Sequence, residues 1–139
     1  MKTNWGVFFD LDQTLVLTDE LEYLRRKRAW NQIYECLFKT ILPPGTQQFI
    51  GSVSKIATVG VITSSPRQYA EKVLQYHALD IPVLVAYHDT ARRKPNPDPI
   101  LKAAMDSGLH PFNCFYIGDH PHDIDAALRA GATPIGIDW

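Results

Sequence analysis

Five short apolar runs recur along the chain, at Val7–Asp10, Thr58–Thr63, Val83–Tyr87, Cys114–Ile117 and Thr133–Ile137. They are nearly unbroken rather than alternating, as expected of strands covered on both faces. Between them, apolar residues fall at helical spacing. Strands alternating with helices describe an α/β fold with a parallel sheet wrapped by helices.

The intervening helices carry their own start and stop signals. Ser64-Ser65-Pro66 offers a cap followed by proline at the first helical position, and Tyr69, Ala70, Val73 and Leu74 continue at helical spacing. Asp98-Pro99 does the same ahead of Ile100, Leu101 and Ala104, with Gly108 placed to end that helix. Ile124, Ala127 and Leu128 mark another, closed by Gly131, and Phe49, Ile50 and Val53 mark a short one. The longest helix is expected over Asp19–Phe38, with Leu21, Leu24, Trp30, Ile33, Tyr34 and Leu37 on one stripe. It falls between the first two strands, as an insertion.

A length of 139 residues fits one domain over 1–139. No apolar run approaches the roughly 20 residues of a membrane span. Residues 1–25 lack an apolar signal-peptide core, since Asp10, Asp12, Asp19 and Glu20 fall within them. Cys36 and Cys114 are too few for a disulfide framework and have no metal-ligand spacing, so a reducing cytoplasm is the expected location. With 14 Lys and Arg against 15 Asp and Glu, net charge −1, no global field recruits nucleic acid or a membrane.

The chemistry concentrates where strands end. In an open parallel sheet, ligands bind beyond the carboxyl ends of the strands. The first strand ends Phe9-Asp10-Leu11-Asp12-Gln13-Thr14, where two acids either converge on one cation or cap a turn. The second ends Thr63-Ser64-Ser65-Pro66, where hydroxyls at a helix start either receive an anion or serve as ordinary caps. After the third come Lys94-Pro95-Asn96-Pro97, whose prolines restrict the direction of a compact positive charge. The fourth ends Gly118-Asp119-His120-Pro121-His122-Asp123, with Gly118 permitting a tight turn and two acids suited to a hard cation such as Mg²⁺. His120 and His122 have no third nitrogen ligand in the pattern and read as solvated. The order acids, hydroxyl, lysine, acids along one sheet edge is what phosphoryl transfer requires.

This set resembles the haloacid dehalogenase-like (HAD) superfamily, in its phosphatase branch, over about positions 7–137. The resemblance implies a Rossmann-like three-layer sandwich with sheet order 5-4-1-2-3 and a short helical cap insert over about 18–42. It implies that Asp10 is a nucleophile forming an aspartyl-phosphate and that Asp12 is the acid and base. By the same resemblance Thr63 and Lys94 complete the catalytic set, and Leu11, Asp12, Thr63, Ser64 and Lys94 contact the phosphate. Mg²⁺ is implied on Asp10, the Asp12 carbonyl, Asp119 and Asp123. Dehalogenases lack the second acid of the first motif, so Asp12 points to phosphate esters, whose leaving group needs a proton.

So short an insert implies an open site, and with it a large substrate, a partner acting as lid or loose specificity. The expected partner is a phosphorylated small molecule or a larger phosphorylated substrate, with no membrane and no nucleic acid. The sequence stops at Ile137-Asp138-Trp139, where relatives usually continue. The run Arg25-Arg26-Lys27-Arg28 is either a basic patch for an anion or the solvated face of a helix, with Glu22 and Arg26 as an i,i+4 pair. Two other readings remain beside a Mg²⁺-dependent phosphomonoester hydrolase. One is a phosphotransferase or mutase of the same family. The other is a non-catalytic phospho-acceptor or interaction module, for which Asp89, beyond the third strand, is the acceptor residue.

Overall fold

A computed structural model describes residues 3–139; Met1 and Lys2, within the domain expected over 1–139, lie outside the described residues. Five parallel strands form one sheet in the order β3-β2-β1-β4-β5. They are β1 (Gly6–Phe9), β2 (Thr58–Ile62), β3 (Val83–Val85), β4 (Cys114–Gly118) and β5 (Thr133–Gly136). This is the expected order, read from the other edge.

Side chains alternate across the sheet plane, and each set seeds its own core. Phe9, Val59, Val61 and Ile117 face α3 (Thr46–Val53), α4 (Arg67–Tyr76) and the insert. Phe8, Ile62, Val85 and Tyr116 face α5 (Asp98–Asp106) and α6 (Pro121–Ala130). Two apolar layers around one sheet make the three-layer sandwich. Among the described residues no helix is long and apolar enough to cross a membrane.

The helix expected over Asp19–Phe38 is broken. It forms α1 (Glu22–Arg26) and α2 (Trp30–Glu35), flanked by single 3₁₀ turns at Asp19–Leu21 and Leu37–Lys39. The break is a Schellman closure: Ala29 N–H donates to Leu24 C=O (3.0 Å) and Arg28 N–H to Arg25 C=O (3.0 Å). Arg28 takes the left-handed conformation, φ 55°, that glycine usually fills. The stripe still works, because Leu21, Leu24, Ile33 and Leu37 are all buried. Each such side chain contributes about 1.5–3 kcal/mol. At the base of the insert, Leu17 and Ile41 exchange backbone hydrogen bonds (2.8 and 2.9 Å).

Two other expectations shift slightly. The third strand stops at Val85 rather than Tyr87, because Asp89 accepts the Ala86 N–H (2.8 Å) and turns Tyr87–Asp89 into a 3₁₀ turn. Pro66 precedes the helix instead of opening it, and no serine caps α4. The Ser65 hydroxyl is drawn to a carboxylate of the first motif instead.

Candidate active site

Parallel register places the strand ends side by side. Phe9 lies opposite both Val61 and Ile117, and the ladder continues past the strands, with Asp10 N–H on Ile117 C=O (2.8 Å) and Thr63 N–H on Val85 C=O (2.9 Å). Asp10, Thr63 and the loop after β4 therefore share one edge. There they line a cavity of about 330 Å³ together with Asp12, Lys94 and Asp123.

Lys94 organises the floor. Its ammonium, 7% exposed, donates to Asp10 Oδ1 (3.0 Å), Asp123 Oδ1 (2.6 Å) and the Tyr116 hydroxyl (2.8 Å). The Tyr116 hydroxyl in turn donates to Ile62 C=O (2.8 Å). Asp123 Oδ2 accepts the His120 N–H (3.1 Å), which ties the start of α6 to the site. Burial opposes the lysine's charge, but the carboxylates of Asp10 and Asp123 outweigh it and raise its pKa. Burial pushes the Asp10 carboxyl up to about 8, against the pull of Lys94 and with help from Asp123 and Asp12.

One ligand atom from each of Asp10, Asp119 and Asp123 lies within 4.8 Å of the others. Asp119 also accepts from the Thr14 hydroxyl (3.2 Å). Three carboxyl groups, all oxygen donors, outnumber the one ammonium, which pairs with two of them, Asp10 and Asp123. A hard divalent cation fits that charge and that donor chemistry.

Asp12 points the other way, toward the insert. Its Oδ1 accepts from the Thr18 hydroxyl (2.7 Å) and the Tyr69 hydroxyl (2.6 Å), and its Oδ2 from Ser65 (2.9 Å), with Arg25 at 3.5 Å. Tyr69 is fully buried, and burial first, then the Asp12 charge, raises its pKa. Gln13, directly after the second acid, is left-handed (φ 64°), and its side chain accepts the Thr18 N–H (2.7 Å). Such a strained non-glycine residue persists only when its surroundings hold it.

The sequence-derived residues thus converge, with amendments. Thr63 is buried and lines the cavity, its hydroxyl accepting the Ser65 N–H (3.1 Å). Ser64 lines the cavity exposed, whereas Ser65 reaches Asp12. The Leu11 side chain is buried in the core, so only its backbone is available to a ligand. Gly118 serves close approach rather than a tight turn: a Cβ there would fall 2.5 Å from Asp123 Cβ. His120 and His122 are exposed at the rim, ring centroids 4.5 Å apart. Asp89 stands apart, paired with Arg67. Of the basic run, Arg26 pairs with Glu22 (2.8 Å) as expected, while Arg25 turns inward, off the solvated face.

Tyr116, Tyr69 and Thr18 were not legible as site residues, and Arg25 was legible only as part of a basic run with two readings. The only trace is a tyrosine in each of two otherwise apolar packing stripes, where a buried hydroxyl requires a partner.

A profile of haloacid dehalogenase-like hydrolases matches residues 23–137. The chain belongs to that family. The phosphoglycolate phosphatase of Escherichia coli (strain K12) is 31% identical over 136 residues, 93% of this chain and 52% of that protein. The phosphoglycolate phosphatase of Xylella fastidiosa (strain Temecula1) is 33% identical over 113 residues, 78% of this chain and 49% of that protein. The chain thus spans about half the length of these family members. Among solved structures, a predicted phosphoglycolate phosphatase from Haemophilus somnus superposes with TM-score 0.82 at 20% identity, over 96% of this chain and 85% of that one. CbbY from Rhodobacter sphaeroides, solved with phosphate, gives TM-score 0.80 at 16% identity, over 93% and 84%. Both share the family fold.

Proposed function

We propose that this chain hydrolyses phosphomonoesters with Mg²⁺, through an aspartyl-phosphate on Asp10. The observation that carries the reading is Lys94 bridging Asp10 and Asp123 beside Asp119, with Thr63 at the neighbouring strand end. Asp10, Asp119 and Asp123, with the Asp12 carbonyl, would hold the cation, which supplies positive charge against the phosphoryl oxygens.

The chain's own residues then divide the work. Thr63, Ser64, Lys94 and the backbone of Leu11 and Asp12 receive the phosphate. An Asp10 oxygen attacks phosphorus as the ester P–O bond breaks, and the departing alkoxide takes a proton from Asp12. Asp12 next takes a proton from water, whose oxygen attacks phosphorus and releases Asp10 and inorganic phosphate. Hydrolysis of p-nitrophenyl phosphate with Mg²⁺ and with EDTA tests this, and release indifferent to EDTA would overturn it. The names of the Escherichia and Xylella relatives make phosphoglycolate one natural test substrate. A soluble cytoplasmic setting, inferred from cysteine usage, belongs to the same reading.

Two predictions arise here. Tyr69→Phe removes one of the hydrogen bonds that orient the Asp12 carboxyl (2.6 Å), so kcat falls roughly 10- to 100-fold with KM nearly constant. Steady-state kinetics beside a melting curve checks it, and an unchanged kcat would show that Asp12 needs no orienting hydroxyl.

The second concerns pH. Asp10 holds its proton in the fold up to about 8 because of burial, whereas the unfolded chain releases it near pH 4. The metal-free protein therefore loses this stabilisation as pH rises from about 4 to about 8. Mg²⁺ must displace that proton, so its effect on Tm grows with pH across the same window. Melting curves with EDTA or Mg²⁺ at about pH 5.5 and 8 read the sign directly.

A further inference from the structure

A second cavity, about 570 Å³, adjoins the first and shares Arg25, Ser64 and Ser65 with it. Its walls are Arg25, Arg26, Arg28, Trp30, Tyr87 and His88, and Glu22 is its one acid. Resting on the phosphatase reading, we propose that this cavity receives the leaving group of the substrate. That leaving group is bulkier than a two-carbon acid and bears a second anionic group seated on Arg25 and Arg28.

Four observations support the proposal independently. Arg25 Nε is the one buried side-chain polar atom among the described residues without a hydrogen-bond partner. A buried donor left empty is costly, and an anion entering beside Asp12 would satisfy it. Arg28 has a left-handed backbone without being glycine, at the break that delivers it to the cavity wall. Arg26 is engaged by Glu22 and Arg25 by Asp12 (3.5 Å), which leaves Arg28 as the lining arginine without an ion pair among the described residues. The aromatic wall is braced from behind: Trp30 packs on Tyr69 (5.7 Å), and Arg93 lies over Tyr87 (4.3 Å). A cavity of this volume is within the range that holds whole small molecules, and the shared serines place it directly beyond the phosphate position.

The test compares three esters: a hexose bisphosphate, the matching hexose monophosphate and phosphoglycolate. The bisphosphate should exceed the monophosphate in kcat/KM by at least about tenfold, through KM, and should match or exceed phosphoglycolate. Arg28→Asn keeps a residue tolerant of the left-handed backbone and should collapse the bisphosphate-to-monophosphate ratio toward one. A ratio near one in the unmodified protein, or an unchanged ratio in Arg28→Asn, overturns the anion subsite. A tenfold preference for phosphoglycolate overturns the bulky leaving group. p-Nitrophenyl phosphate separates the readings. No metal-dependent release from it brings down the phosphatase itself, whereas release without discrimination among the three esters refutes only this subsite.

Discussion

Replacing Asp10 by asparagine is expected to lower kcat by on the order of 10⁴-fold or more, while the melting temperature holds or rises. The two halves of that expectation have one cause. Asp10 is 8% exposed and shares Lys94 with Asp123, with Asp119 alongside. Burial and the neighbouring Asp123 and Asp12 push the Asp10 carboxyl up to about 8, so a neutral amide spares the fold the cost of ionising that site as pH rises. An amide oxygen of the same shape can still accept from Lys94, so the packing survives. It is a far weaker nucleophile toward phosphorus, and a cation bound there loses one negative ligand. Kinetics with p-nitrophenyl phosphate and a melting curve in EDTA read both halves. A variant within tenfold of the parent ends the aspartyl-phosphate reading, and a large fall in Tm would show that Asp10 stabilises the fold as a charge.

Lys94→Met should be the most damaging single change to stability in the metal-free protein, costing about 3–5 kcal/mol. The methionine fills similar volume, so the loss comes from electrostatics rather than from a cavity. Without the ammonium, Asp10 and Asp123 face each other in a site where water screens poorly, and the Tyr116 hydroxyl loses its donor. Adding Asp123→Asn to Lys94→Met should recover part of the loss, since the two side chains are 2.6 Å apart and their effects are coupled rather than additive. Mg²⁺ should recover part of it too, by replacing the missing positive charge. Urea denaturation of the single and double variants, with EDTA and with Mg²⁺, measures all four corners. A loss insensitive to both Asp123→Asn and Mg²⁺ would place the damage in packing and refute the electrostatic account.

The fold was legible because its signals are local and repeated. Unbroken apolar strands, proline-marked starts before Ile100 and glycine ends at Gly108 and Gly131 each state their role within a few residues. The helix break at Arg28 was not legible, and neither was the helix end at Ala78. Both are Schellman closures in which a non-glycine residue takes a left-handed backbone (φ 55° and 54°). Tertiary burial of Leu24 on one side and Leu79 on the other outweighs the local cost of about 1–2 kcal/mol. Within α1, Arg25 and Arg26 point about 100° apart, so Arg25 faces Asp12 while Arg26 faces Glu22.

The same division holds in the site. The sequence by itself determined which chemistry is present and at which strand ends, since Asp10, Asp12, Thr63, Lys94, Asp119 and Asp123 sit at chain positions set by parallel topology. Only the tertiary structure decided their partners. Lys94 lies 84 residues from Asp10 and 29 from Asp123, yet it binds both. Tyr69 lies 57 residues from Asp12, and its hydroxyl is buried against it. Strand ends are written in a one-dimensional pattern of apolar runs. Which hydroxyl or ammonium meets which carboxylate depends on how helices cross the sheet, and that crossing is set by the packing of distant side chains.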